Sequence, residues 1–274
     1  MKRYSALALA ALALAGGLTL TSSLHAANFA SSVLNYTTGT GHATNYINPA
    51  TALGAPSLTN DFGTITPFNP AYSTNDLVSI GAGGSLTLGF STPVLNDPGN
   101  PFGIDLLVFG NDGFVDNDFP NGLTTAAGDL FSNAFGTPGT SKVFVSADNV
   151  SYYELLPPLW ASARVDTLFP TDAEGMLGLP VNPALNQASF GTTNLAGIRS
   201  LYAGSGGGTG FDLAWAVDTN GAPVALGSIS YVRIDVLGSK VEVDAVMAAV
   251  PEPSTWAMGA LGIAGLLAVY RRKN

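Results

Sequence analysis

The sequence predicts an all-β fold, an antiparallel β-sandwich of the jelly-roll, galactose-binding-like kind, and three observations carry it. Gly, Ser, Thr, Asn and Pro are abundant while lysine is scarce, a composition of short strands and many turns. Apolar and polar residues alternate at period two, as Leu86, Leu88 and Phe90 do against Ser85, Thr87 and Gly89. Gly-rich or Asp-Asn connections separate such runs, and there is no internal repeat. The pattern yields eight or nine strands with long crossings between them.

Residues 1–27 read as a secretory signal peptide. Lys2 and Arg3 open it, an apolar run from Ala6 to Leu20 is broken by Gly16-Gly17, and small residues Ala26 and Ala27 follow. Signal peptidase is expected to cut after one of these two alanines. The body then runs over 28–250, a length that suits one β-rich domain. Residues 28–75 read as irregular loops with an early strand. Two β runs around Gly81-Ala82-Gly83-Gly84 read as a hairpin. The near-continuous apolar run "FGIDLLVFGND" reads as a central strand buried on both faces. Val143 and Val145, an Asp148-Asn149 turn and Tyr152 to Leu155 read as another hairpin. From 157 to 200 the pattern dissolves into a loop-rich insertion, with one helical turn expected near Asp172 to Met176. A strand is expected from Phe211 to Val217. Two more close the domain, with Tyr231, Arg233 and Asp235 on one face and Val232, Ile234 and Val236 on the other.

Residues 251–274 form a tail of three parts: Pro251-Glu252-Pro253, an apolar run from Trp256 to Tyr270, and Arg271, Arg272 and Lys273. As a helix the run is about 22 Å long, at ~1.5 Å per residue. That is short of a bilayer core of ~30 Å. The prolines stop it from extending backwards. Trp256 suits one interface, the arginines can snorkel at the other, and the positive-inside rule puts them in the cytoplasm. A signal peptide that exports the body gives the same topology.

This order of elements resembles the PEP-CTERM sorting signal. The resemblance implies recognition by an exosortase, a membrane transpeptidase-like enzyme. It further implies removal of the tail, with the body released or attached at the surface of a Gram-negative bacterium that makes exopolysaccharide. The transmembrane helix would anchor the chain in the inner membrane until processing. The body also resembles exported bacterial cell-surface proteins, through Ala52-Leu53-Gly54-Ala55-Pro56, residues 78–90, Val108-Phe109-Gly110-Asn111, Val143 to Tyr153, Phe211 to Ala214 and Val232 to Val246. That resemblance implies the galactose-binding-like sandwich but little chemistry. Gly110 stands where such proteins often have an acid.

Charge and composition exclude several functions. The chain carries 19 acidic and 10 basic residues, and five of the basic ones lie in its ends. The body keeps Lys142, Arg164, Arg199, Arg233 and Lys240, so the basic footprint that nucleic acid requires is missing. Cysteine is absent, which rules out thiol nucleophiles and thiolate metal sites. His42 is the one histidine left after signal removal, so there is no His cluster for zinc, and a Ser-His-Asp triad would have to use it. The Gly206 to Gly210 run lacks the lysine of a phosphate loop. Paired carboxylates of a secreted hydrolase remain a lesser alternative.

The densest polar cluster is "GNDGFVDNDFPNG", with Asn111, Asp112, Asp116 and Asp118 just after a buried strand. Calcium takes several oxygen ligands from such acidic loops. An EF-hand is rejected, because Pro120 stands where a ligand is required and Ala127 where the Glu belongs. The competing reading is a turn whose acids cap backbone groups. Asp212, Asp235 and Asp244 are read inside strands, with Arg233 as the expected partner of Asp244 and a second cation site as the alternative. Sugar sites use aromatic faces. Of Tyr152, Tyr153, Trp160, Tyr202 and Trp215, Trp160 is the least easily explained as core. The function expected is a non-catalytic, exported surface or matrix protein, with a calcium-dependent carbohydrate-binding module as the first alternative.

Overall fold

Period-two alternation becomes strands with one buried and one wetter face, most clearly in the chain's second-last strand, Ser228–Gly238. There Ile229, Val232, Ile234 and Val236 are buried, while Tyr231, Arg233 and Asp235 are half-buried on the other face. Ile229 and Val232 are three residues apart, and both point inward because a register shift between Ile229 and Tyr231 absorbs the extra residue. The computed structural model describes residues 28–126, 128–131, 139–158 and 169–250.

In chain order the strands are β1 (Ala30–Thr37), β2 (Thr59–Asn60), β3 (Gly63–Thr64), β4 (Val78–Gly81), β5 (Ser85–Leu95), β6 (Leu106–Gly110), β7 (Thr140–Ser146), β8 (Tyr153–Leu155), β9 (Thr209–Phe211), β10 (Ala216–Val217), β11 (Ser228–Gly238) and β12 (Lys240–Ala248). A helix, α1, spans Leu195–Tyr202. β1-β5-β11-β7-β8-β10 form a six-stranded sheet, β4-β12-β6-β9 a four-stranded one, and β2-β3 a small hairpin. Every pairing of these strands is antiparallel. One hydrophobic cluster joins the two large sheets, with Leu88, Val145 and Ile234 from the first and Ile80, Val108 and Val241 from the second. The body is thus an antiparallel sandwich.

Three local expectations are corrected. The runs around Gly81-Ala82-Gly83-Gly84 are strands, but β4 pairs with β12 and β5 with β1 and β11. The glycines carry the chain from one sheet to the other instead of turning a hairpin. Two of them must be small: a Cβ on Gly81 would lie 2.3 Å from the Thr40 carbonyl oxygen, and one on Gly84 2.5 Å from that of Thr37. The expected strand from Phe211 to Val217 breaks at Asp212, whose side chain accepts from the Ala214 N–H and starts a short 3₁₀ turn over Leu213–Trp215. The helical turn expected near Asp172 is a set of turns; the helix lies further on, capped by Asn194, whose side chain accepts from the Gly197 N–H. The central strand is confirmed as β6, with Leu106 and Val108 in the sandwich core and Leu107 and Phe109 in a second cluster on the opposite face.

That opposite face is covered by loops. Leu107, Phe109, Ala245 and Met247 pack with Ile104 and Ala249 beneath Phe29, Leu177 and Trp215. Beyond them lies an aromatic cluster of Phe114, Phe169, Phe190 and Tyr202, with Phe114 and Phe190 centroids 5.0 Å apart. Part of the loop-rich stretch after residue 157 therefore makes a core of its own. Arg199 of α1 clamps it, with Nε and Nη2 donating to Asp172 at 2.6 and 2.9 Å.

The crossover glycines make a direct test. Gly81→Ala is expected to lower unfolding free energy by about 2 kcal/mol or more, since its neighbours are backbone and cannot yield. Gly83→Ala meets open space but sits at φ +74°, and is expected to lose only the roughly 1–2 kcal/mol of a left-handed alanine. Urea denaturation at neutral pH ranks the two.

Candidate functional site

β12 delivers the chain to the edge of the sandwich, and the residues just beyond it are still part of the fold. The Ala248 N–H donates to the Asn28 carbonyl at 2.8 Å, that of Ala249 to the Asp105 carbonyl at 2.8 Å, and that of Val250 to the Gly178 carbonyl at 2.9 Å. Phe29 bridges Met247 in antiparallel fashion. The first described residue and the last strand therefore leave the body side by side. Beside them lies a cleft of about 900 Å³, lined by Phe29, Leu53, Val94, Leu95, Ala249 and Val250 among others.

Asp105 builds one wall of this cleft. It is buried, and its carboxylate accepts from the Asp97 N–H at 2.9 Å, the Asn100 amide at 2.9 Å and the Leu213 N–H at 3.0 Å. Burial pushes its carboxyl above the ordinary range, against the pull of these donors. Sequence reading passed over Asp105, because a single acid inside an apolar run looks like any strand residue.

The acidic loop divides into two parts. Asn111 and Asp112 follow β6; Asn111 donates its amide to Glu242 of β12 at 2.6 Å, and Asp112 accepts from the Gly113 N–H at 3.1 Å. Asp116 accepts three backbone N–H groups, from Asp118 and Leu123 at 2.9 Å and Gly122 at 3.0 Å. Asp118 accepts from the Asn121 amide at 3.3 Å. Asp116 thus folds the turn by capping its donors. Among the described residues no group of three or more His, Asp or Glu side chains is placed to hold a metal ion.

Asp244 is 1% exposed and sits where β12 shifts register against β6. Its expected partner, Arg233, lies instead in the other sheet. Arg233 pairs with Asp235 at 3.0 Å and lies over the Phe144 and Tyr152 rings at 4.7 and 4.6 Å. Successive strands β11 and β12 belong to different sheets, so nearness in sequence misled. Ser57 takes the partner's place, donating its N–H at 2.9 Å and its hydroxyl at 3.1 Å. Burial, with a smaller push from the negative charge of Asp76, raises the Asp244 carboxyl from 3.8 to about 7.

Of the aromatic candidates, Tyr202 is buried with its hydroxyl donating to the Pro170 carbonyl, Tyr153 and Trp215 pack against the sandwich core, and the Tyr152 ring is covered by Arg233. Trp160 lies outside the described residues, as do Pro251, Glu252, Pro253, Arg271, Arg272 and Lys273. So do the signal peptide and the C-terminal apolar run. Sequence reading missed Phe62. It stands 81% exposed between β2 and β3, with its ring centroid 5.5 Å from that of Tyr72, whose hydroxyl donates to Asp61.

An antiparallel sandwich whose last strand runs straight into a three-part tail is the build of an exported protein with a C-terminal sorting signal. Residues 249–273 match the PEP-CTERM protein-sorting motif. The chain is therefore an exosortase-sorted exported protein, held transiently in the membrane before exosortase cleavage. No curated protein matches the chain.

Two substitutions probe the acids. A carboxyl whose affinity for its proton is higher in the folded chain favours folding while protonated. Stability is then lost as pH rises from about 4 to about 7, by several kcal/mol at most at ~1.4 kcal/mol per unit. Urea midpoints of the wild type are expected to fall across this window. Asp244→Asn, which still bonds Ser57, is expected to flatten most of the fall, and Asp105 and Asp212, also raised by burial, to leave the rest. Asp116→Ala is expected to lose about 1–3 kcal/mol by orphaning turn donors. As a turn cap rather than a cation ligand, it should lose the same amount in calcium and in chelator.

Proposed function

We propose that the protein is a non-catalytic component of the cell surface or extracellular matrix, and that it associates with exopolysaccharide. The observation that carries the reading is the exposed Phe62 ring backed by Tyr72, with the Asp61 carboxylate alongside. A sugar offers C–H groups to an aromatic face and hydroxyls to a neighbouring carboxylate, and this hairpin tip presents both. Tyr72 braces the ring, so less freedom is lost on binding.

The engagement of the chemically active side chains supports a non-catalytic role. The Nδ1 of His42 is 3.0 Å from the Gly39 carbonyl, inside its own loop. Asp105, Asp116, Asp148 and Asp218 accept backbone N–H groups, and Asp172 is held by Arg199. We further read the sandwich as a jelly roll. What supports this is the weave of the chain: β4, β6, β9 and β12 alternate with β5, β7 to β8 and β10 to β11 across the two sheets.

A glycan array and co-sedimentation with purified exopolysaccharide test the reading on the mature protein. Phe62→Ala is expected to weaken binding by roughly a factor of five, the equivalent of about 1 kcal/mol of aromatic contact. A parallel array in chelator separates a calcium-dependent carbohydrate-binding module from a calcium-independent one. Wild-type protein that binds no glycan and stays in the supernatant ends the proposal.

A further inference from the structure

The sorting motif does not begin outside the body. Its first two residues, Ala249 and Val250, are hydrogen-bonded to Asp105 and Gly178 and form part of the cleft wall. We propose that this cleft is a docking surface for the exosortase, taking an apolar segment of that enzyme while the tail is processed. The proposal rests on the sorting motif and is independent of the exopolysaccharide reading.

Chain length makes the contact hard to avoid. Six residue steps separate Val250 from Trp256, where the apolar run starts, and a fully extended chain covers at most about 20 Å in that distance. Pro251, Glu252 and Pro253 all lie within about 10 Å of the last anchored residue. An enzyme seated in the bilayer that acts near these three residues meets the edge of the body that bears the cleft. The N-terminal end of the described chain leaves the same edge, at Asn28. The tail attachment at Val250 therefore keeps this edge within about 20 Å of the apolar run.

The chemistry of the cleft fits an apolar guest. Phe29, Leu53, Val94 and Val250 give it mostly apolar walls, Leu95 stands 56% exposed on the rim, and on the polar wall of Asp97, Asn100 and Asp105 the Asp105 carboxylate is already taken up by three donors. A mostly apolar concavity beside a processing site marks an interaction surface better than a scattered exposed side chain does.

The test uses the full chain, expressed in cells together with its exosortase. Tail removal is followed by the mass of the C-terminus during a chase. Leu95→Asp charges the rim and Thr92→Trp fills the mouth. Each is expected to slow tail loss by about fivefold or more, as a charge or obstruction in an apolar contact does. Leu237→Asp, an equally exposed leucine at the end of β11, serves as control and is expected to process at the wild-type rate. Thermal melts of the isolated mature proteins verify that all three fold. A Gly-Ser linker of about ten residues between Val250 and Pro251 frees the tail from the edge, and the cleft variants are then expected to process no more slowly than the linker parent. Cleft variants that process at the wild-type rate at native spacing overturn the proposal, whatever else the cleft holds. So does a control variant that slows as much as they do.

Discussion

Burial of the four-stranded sheet on both faces is the constraint on which the rest of the structure depends. One face meets the six-stranded sheet across the main core, and the other lies under loops that carry their own hydrophobic clusters. Every polar side chain on that second face must then find a partner inside the protein. Glu242 takes Asn111 and Lys240, Asp244 takes Ser57, and the Ser79 hydroxyl accepts from the Ala43 N–H. These bonds pin the 43–57 loop to β4 and β12, and the segment after β6 to β12. The long stretches that sequence reading took for irregular are in this sense the second wall of a core.

Legibility in the sequence followed the range of the interactions. Apolar patterning is local, as period two in β5, β7, β11 and β12 and as a continuous run in β6, so these strands could be read directly, and with them the all-β class. The partner of each strand is not local. The Gly81–Gly84 stretch has the composition of a hairpin turn, and only the pairing of β4 with β12 and of β5 with β1 and β11 reveals a crossover. The same holds for Arg233, which lies on the strand just before that of Asp244 along the chain but in another sheet. Asn194, with Leu195, Ile198 and Tyr202 at helical spacing behind it, was a cap and stripe that could have revealed α1.

The sites divide in the same way. The three-part tail is a linear signal, carried by order and spacing within about 25 residues, and it could be read without a fold. The acidic loop looked like a cation site because composition counts oxygens, whereas hydrogen bonds decide where they point. Asp116 turns its oxygens toward the loop's own backbone. The cleft beside Val250 could not be read at all, since its walls come from β1, β5, β12 and the 97–105 loop. Phe62 escaped notice because an exposed aromatic has no pattern around it.

The place of β12 has a consequence for the timing of export. It is the last strand to be synthesised, yet it lies between β4 and β6, so the four-stranded sheet cannot zip up until residues 240–248 have left the translocation machinery. Domains form as units once their last contributing segment is free. Until then the chain stays threadable; afterwards, closing the sheet draws Ala249 and Val250 into place. Completion of the fold therefore fixes Ala249 and Val250, the first residues of the sorting motif, against the body, and a body that fails to fold presents its tail without that anchorage.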